Sequence, residues 1–203
     1  MSEHDVVASQ DWKKAVDFHG HVCPGLAIGF RAAQLGLERL REQRAVDEEI
    51  VAIVETNACG VDAVQVLSGC TYGKGNLLHR DYGKQVFTFA ARRSGEAVRV
   101  SLKPEVLRIT DRHRELIHKT RNNEATREER EEFWELHRRA SMNLLSMNPY
   151  DLFAISDVVV DVPPKAKIEE SRKCDECGEP TMESLLKETT DGRVLCRPCS
   201  MAQ

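Results

Sequence analysis

Four cysteines near the C-terminus constrain this chain more than any other feature: Cys174-Asp-Glu-Cys177, eighteen residues, then Cys196-Arg-Pro-Cys199. Each CxxC pair presents two thiolates to one side of an ion, and Zn²⁺ takes four such soft ligands in a tetrahedron. Gly178 allows the tight turn that follows the first pair. Thr189 to Arg193 reads as a hairpin tip, and the second pair opens a short terminal helix. That is the layout of a ribbon or treble-clef finger. With four cysteines and no open position, its zinc is expected to be structural. The segment Lys173 to Gln203 has no basic stripe with interleaved aromatics, so packing or protein contact fits the finger better than nucleic acid.

The rest of the chain has room for one ordinary domain, since the total is 203 residues. A net charge of -4, with both signs interspersed, argues against phosphate-backbone binding. No run approaches the roughly 20 apolar residues that span a bilayer. Met1 to Trp12 is polar and acidic rather than a secretory signal, so a cytoplasmic protein without membrane attachment is expected. Seven cysteines, an odd number, then speak for metal or thiol chemistry and against a disulfide framework.

The hydrophobic pattern predicts a helix over 24–44, with Leu26, Phe30, Ala33, Leu37 and Leu40 on its apolar face. Gly25, Gly29, Ala32 and Gly36 form a second stripe, which implies a very close neighbour, most simply a helix or the sheet. Ile50 to Thr56 reads as a strand and Gly60 to Leu67 as a short helix closed by Gly69. Strands over 85–91 and 97–102 flank a hairpin loop. Helices follow over 111–119 and 127–147, the second opened by a Thr126/Glu129 capping box and burying Phe133, Leu136, Ala140 and Leu144. A last strand spans 154–162. Helices and strands mix without strict βαβ alternation, so the class is α+β with a mixed sheet. The expected division is a core over 1–162, a linker over 163–172 and the finger over 173–203.

The most informative stretch of the core is Asp17-Phe-His19-Gly-His21-Val-Cys23-Pro24-Gly25. Proline suits the first helical position, which puts Cys23 at the helix start, where the dipole and free N–H groups favour the thiolate. Cys59, ahead of Gly60-Val-Asp62, sits at another helix start. Cys70 follows that helix in the glycine-rich run Gly69 to Asn76, whose Lys74 is misplaced for a Walker loop. A lone cysteine is usually a small buried hydrophobe, but these residues all lie at element ends, where sites are commonly built. The reading is a second divalent metal, zinc by ligand type, on His21, Cys23 and Cys59, with His19 as a further candidate. Cys59, Asp62, Cys70 and Lys74 are the expected catalytic residues, and Cys70 is also near enough in motif to contribute a ligand. Whichever do not bind the ion, with Asp62, would surround it or act as acid and base. The competing reading is a metal-free thiol site with Cys59 as nucleophile and a histidine as its base.

Phe18 to Gly25, Cys59-Gly-Val-Asp-Ala-Val-Gln65 and Gly69 to Asn76 closely resemble three motifs of the FmdE-like family of formylmethanofuran dehydrogenase subunits. Gly83-Lys84 and the appended finger resemble it too. The resemblance implies an α+β core with a treble-clef finger. It also implies a homodimer in which finger and core of different chains can meet. It marks His19, His21, Cys23, Cys59, Asp62, Cys70 and Lys74 as the site. It implies an accessory subunit or partner of dehydrogenase subunits in one-carbon metabolism, whose tungsten or molybdenum chemistry belongs to other subunits. The alternatives are a stand-alone metal-dependent enzyme, or a regulatory module using the finger for protein or nucleic-acid contact. The charged stretch Arg112 to Glu135 matches none of the motifs.

Overall fold

The computed structural model describes residues 3–106 and 109–202, with side chains from Val6 onward. The expected core and finger therefore extend outside the described residues at Met1, Ser2, Leu107, Arg108 and Gln203. The chain divides into two compact units, Met1–Lys165 and Ala166–Gln203.

In the larger unit, α1 (Glu3–Ala8), α2 (Gln10–His19) and α3 (Pro24–Leu40) precede β1 (Ile50–Val54) and α4 (Gly60–Ser68). Then come β2 (Leu77–His79), β3 (Val86–Ala91), β4 (Ala97–Leu102), α5 (Asp111–Arg121), α6 (Arg127–Ser146), α7 (Pro149–Leu152) and β5 (Phe153–Asp157). The five strands form one sheet in the order β2-β1-β3-β4-β5, with β1 and β2 parallel and the other pairs antiparallel. It is a mixed α+β sheet. Every residue of β3 is buried, as a central strand covered on both faces requires.

The small-residue stripe of α3 is used inside the chain. A Cβ on Gly29 would lie 2.0 Å from the Gly60 carbonyl oxygen, and one on Gly36 would lie 2.2 Å from the Phe89 ring. The helix thus beds directly onto α4 and the sheet, and the stripe gives no support to an interface between chains.

Several boundaries differ from expectation. The helix predicted over 24–44 ends at Leu40, because Arg41 turns left-handed and its N–H bonds back to Glu38 and Leu37. The last strand stops at Asp157 rather than 162. Leu136 and Ala140 are half-buried, and Ser141, Leu144 and Leu145 complete the inner face of α6. The helices α1 and α2 and the short strand β2 were not expected. α2 is nonetheless written in the chain: Ser9 caps it by accepting from Trp12 N–H, and Trp12, Ala15, Val16 and His19 recur on one face. Trp12 packs edge-on against Phe30 at 5.1 Å. The capping box of α6 is present in both directions, and its charged first turns pair with α5, as in Arg112–Glu132 at 2.6 Å.

In the smaller unit, β6 (Ser171–Lys173) and β7 (Pro180–Met182) form one hairpin, β8 (Lys187–Glu188) and β9 (Val194–Leu195) another, and α8 (Arg197–Met201) follows. Knuckle, hairpin and helix follow in treble-clef order. Among the described residues, no helix is long and apolar enough to cross a membrane.

Candidate metal centre

The finger is the simpler of two ligand clusters. The thiols of Cys174, Cys177, Cys196 and Cys199 lie within 4.8 Å of one another, as ligands of one ion must. Gly178, at φ +74°, turns the first knuckle and donates to the Cys174 carbonyl. The Cys196 N–H points at the Cys174 sulfur, 3.3 Å away. N–H groups of Cys177 and Cys196 bring the Cys174 thiol down to about 6, while the neighbouring thiols push Cys199 up to about 12. Four thiols this close cannot all ionise without a cation among them, and the set fits an ion such as Zn²⁺.

The second cluster forms at the joint between α2 and α3. Gly20, left-handed at φ +90°, closes α2 immediately after His19. Cys23 caps α3, its sulfur accepting from Leu26 N–H at 3.4 Å. The short link between them brings the ligand atoms of His19, His21 and Cys23 within 4.8 Å of one another. His19 is on the inner face of α2, its side chain 10% exposed. Its Nδ1–H donates to Asp62 Oδ2 at 2.7 Å, and its Nε2 stands 3.6 Å from Cys23 Sγ. The carboxylate thus fixes both tautomer and ring plane, aiming the Nε2 lone pair at the sulfur. The His19 and His21 rings lie 4.3 Å apart.

Helix α4 supplies the other wall. Cys59 stands at its start without capping it, so the thiol is not held by the helix end as expected. It faces Cys23 across Gly25, where a Cβ would lie 3.1 Å from Cys59 Cβ and 3.9 Å from Cys23 Sγ. The helix start does not ionise Cys23 either. Burial, with the neighbouring Cys59, pushes its thiol up to about 11 despite the Leu26 N–H. A bound cation reverses that balance.

Cys70 and Lys74 are not brought to this cluster. The Cys70 thiol is fully buried and donates to the Ile50 carbonyl at 3.3 Å, at the first residue of β1. Lys74 Nζ donates to the Asp47 carbonyl at 2.6 Å. The cluster lies beyond the other end of β1, about 13 Å away at the usual rise per residue. With Asn76, which also bonds Ile50 and Asp47, they pin the glycine-rich loop to the strand.

A cleft of about 640 Å³ opens beside the cluster, lined by His21, Cys23 and Cys59 and by α5 and α6. The two helices add residues that sequence reasoning passed over: Trp134, His113 and His137. The Trp134 ring stands edge-on to His21 at 5.7 Å. His113 Nε2 and His137 Nδ1 are 2.7 Å apart. Burial holds His113 below its usual range and, with His113 and His21 nearby, brings His137 down to about 4. The signal was present as two histidines on the inner faces of a helical hairpin, His137 four residues after Phe133, but the dense charges around them masked it.

The protein is thus of the class with an α+β core that carries a candidate His/Cys ligand cluster, followed by a four-cysteine finger whose thiols could hold an ion. The chain belongs to the FmdE family (FmdE, Molybdenum formylmethanofuran dehydrogenase operon), whose pattern matches residues 18–154. It is similar to a crystal structure of a tungsten formylmethanofuran dehydrogenase FmdE-like protein from Syntrophus aciditrophicus. That likeness has 25% identity and a TM-score of 0.60, and covers 100% of this chain and 94% of that one. It is also 33% identical over 197 residues to a "Probable S-adenosyl-L-methionine-binding protein" of Archaeoglobus fulgidus. That match takes in 92% of this chain, which spans about half, 51%, of that relative's length.

Proposed function

We propose that the core is a metal–thiolate site that binds a small molecule, with His19, His21 and Cys23 holding a divalent ion of the zinc type and an open position facing the cleft. One observation carries this reading: Asp62 grips His19 through Nδ1 and leaves Nε2 beside Cys23 Sγ at 3.6 Å. Tetrahedral Zn²⁺ ligands sit about 3.4–3.8 Å apart, given metal–ligand bonds of about 2.1–2.3 Å. A carboxylate behind the histidine is the usual support of such a ligand. Cys59 is close enough to Cys23 to replace one ligand or to approach a bound molecule. The finger holds a second, structural zinc.

The metal-free alternative, Cys59 as nucleophile with a histidine as its base, is disfavoured because Asp62 holds His19 with its Nε2 aimed at Cys23 Sγ. We further propose a homodimer and, from the operon named in the family's description, a partnership with dehydrogenase subunits in one-carbon metabolism. S-adenosylmethionine, in the name of the Archaeoglobus relative, brings a carboxylate and an ammonium group. Among the described residues that line the cleft there is no Asp, Glu, Lys or Arg to pair with them. The test is anomalous diffraction at the zinc edge from crystals grown without chelator. The reading predicts one peak among the finger thiols and a second bounded by His19, His21 and Cys23. A finger peak with none in the core would overturn it.

A further inference from the structure

The hairpin of α5 and α6 carries an imidazole pair that the core site does not use. His113 and His137 meet across the two helices at 2.7 Å, with the Phe133 ring 4.2 Å from His137. Both line the same cleft as His21, Cys23 and Cys59. Two neutral imidazoles joined in this way carry two protons, one between them and one on an outer nitrogen; exchange of the outer proton with solvent accompanies any shift of the inner one. With the proton on His113 Nε2, His137 presents an Nε2–H donor. With the proton on His137 Nδ1, its Nε2 is bare and accepts. The pair therefore offers either polarity to a ligand without gaining charge.

Apart from Asn143 the remaining wall is mostly apolar, and no Asp, Glu, Lys or Arg is among its described lining residues. A few polar groups set in such a wall fix a ligand's orientation and discriminate among candidates. Trp134 links the two poles, with its ring 5.7 Å from His21 and 6.1 Å from His137. By way of Trp134 the His21 and His137 ring centres are at most about 12 Å apart, which bounds the length of a ligand that reaches both.

Resting on the reading of the core as an open metal–thiolate site, we propose that the cleft takes a thiol with a flat, uncharged aromatic or heterocyclic body. Its sulfur binds the ion, and an amide-like group at its far edge hydrogen-bonds His137, with His113 behind it. A thiolate suits the ion because a mixed His/Cys site favours borderline and soft donors; on binding, the thiol gives its proton to the solvent.

The experiment uses the full chain loaded with Co²⁺ and follows the visible band of the core ion. It is titrated with benzyl mercaptan and with that thiol's 2-, 3- and 4-carboxamides. Benzyl mercaptan should perturb the band, and at least one carboxamide should bind about tenfold more tightly, the size expected for one buried hydrogen bond. His137→Phe should abolish that gain, read as the ratio of carboxamide to benzyl mercaptan affinity within the same variant, and His137→Gln should restore part of it. The proposal is overturned if no carboxamide exceeds the parent thiol, or if the gain survives in His137→Phe. Should His137→Phe fail to fold, the ranking of the three isomers on the wild-type chain decides. A core band that responds to no thiol would instead overturn the open-site reading, and this proposal with it.

Discussion

Removing the carboxylate behind His19 should weaken the core ion without touching the finger. Asp62 makes one strong contact, Oδ2 to His19 Nδ1 at 2.7 Å, and it sits on α4 with about a third of its side chain exposed. In Asp62→Ala the ring can rotate, and its Nε2 loses its fixed aim at Cys23. Loss of such an outer partner costs about 10–100-fold in metal affinity, or about 1.4–2.7 kcal/mol. The partial exposure of Asp62 places the expected loss near the lower end, since water replaces part of the lost hydrogen bonding. Competition against a chromophoric zinc chelator should therefore show two classes of ion in the wild type. In Asp62→Ala one class should shift by roughly tenfold or more while the other stays fixed. Asp62→Asn, which keeps an acceptor oxygen, should fall between the two. The reasoning is refuted if both classes keep wild-type affinity in Asp62→Ala, or if the finger ion is the one that weakens.

Other consequences can be checked on single variants. Cys177→Ser should release the finger ion and strip hydrogen-exchange protection from residues 171–201 while the core keeps its own, because structural zinc supplies the folding free energy of such modules. Gly29→Ala should cost about 3 kcal/mol or more, seen as a lower urea midpoint by tryptophan fluorescence, because the new methyl would press on the Gly60 backbone. Cys70→Ala should leave metal content unchanged and cost stability only, since its thiol is committed to the Ile50 carbonyl. His137, held down to about 4 against an ordinary 6.5, binds its proton more tightly when the chain is unfolded. The folded core should then lose stability as pH falls from about 6.5 towards 4, with His113 and His21 facing the same ring. The thermal midpoint of His137→Phe should fall less over that window.

Much of this was legible in the sequence because it rests on short-range chemistry. The finger followed from ligand spacing, and the starts of α3 and α6 followed from Pro24 and the Thr126/Glu129 pair. The site motif was visible as well, but not its internal order. His19 and Asp62 are forty-three residues apart, and their contact depends on α2 packing beside α4, an α2 that went unread because charged residues interrupt its apolar face. Cys70 looked equivalent to Cys59 in composition and spacing. The two stand at opposite ends of α4, and which end faces His19 and Cys23 is settled only by the packing of α4 against α2 and α3. The His113–His137 pair needs two helices brought antiparallel, which no local pattern specifies.

The central claim, a second ion in the core, is tested most directly by counting metals. Protein purified without chelator should carry about two equivalents per chain, and Cys23→Ala about one, with the remaining ion bound by four sulfurs in X-ray absorption. The wild-type spectrum should then contain nitrogen as well as sulfur neighbours. A wild-type value of one equivalent, all of it lost when the finger cysteines are replaced, would contradict the account.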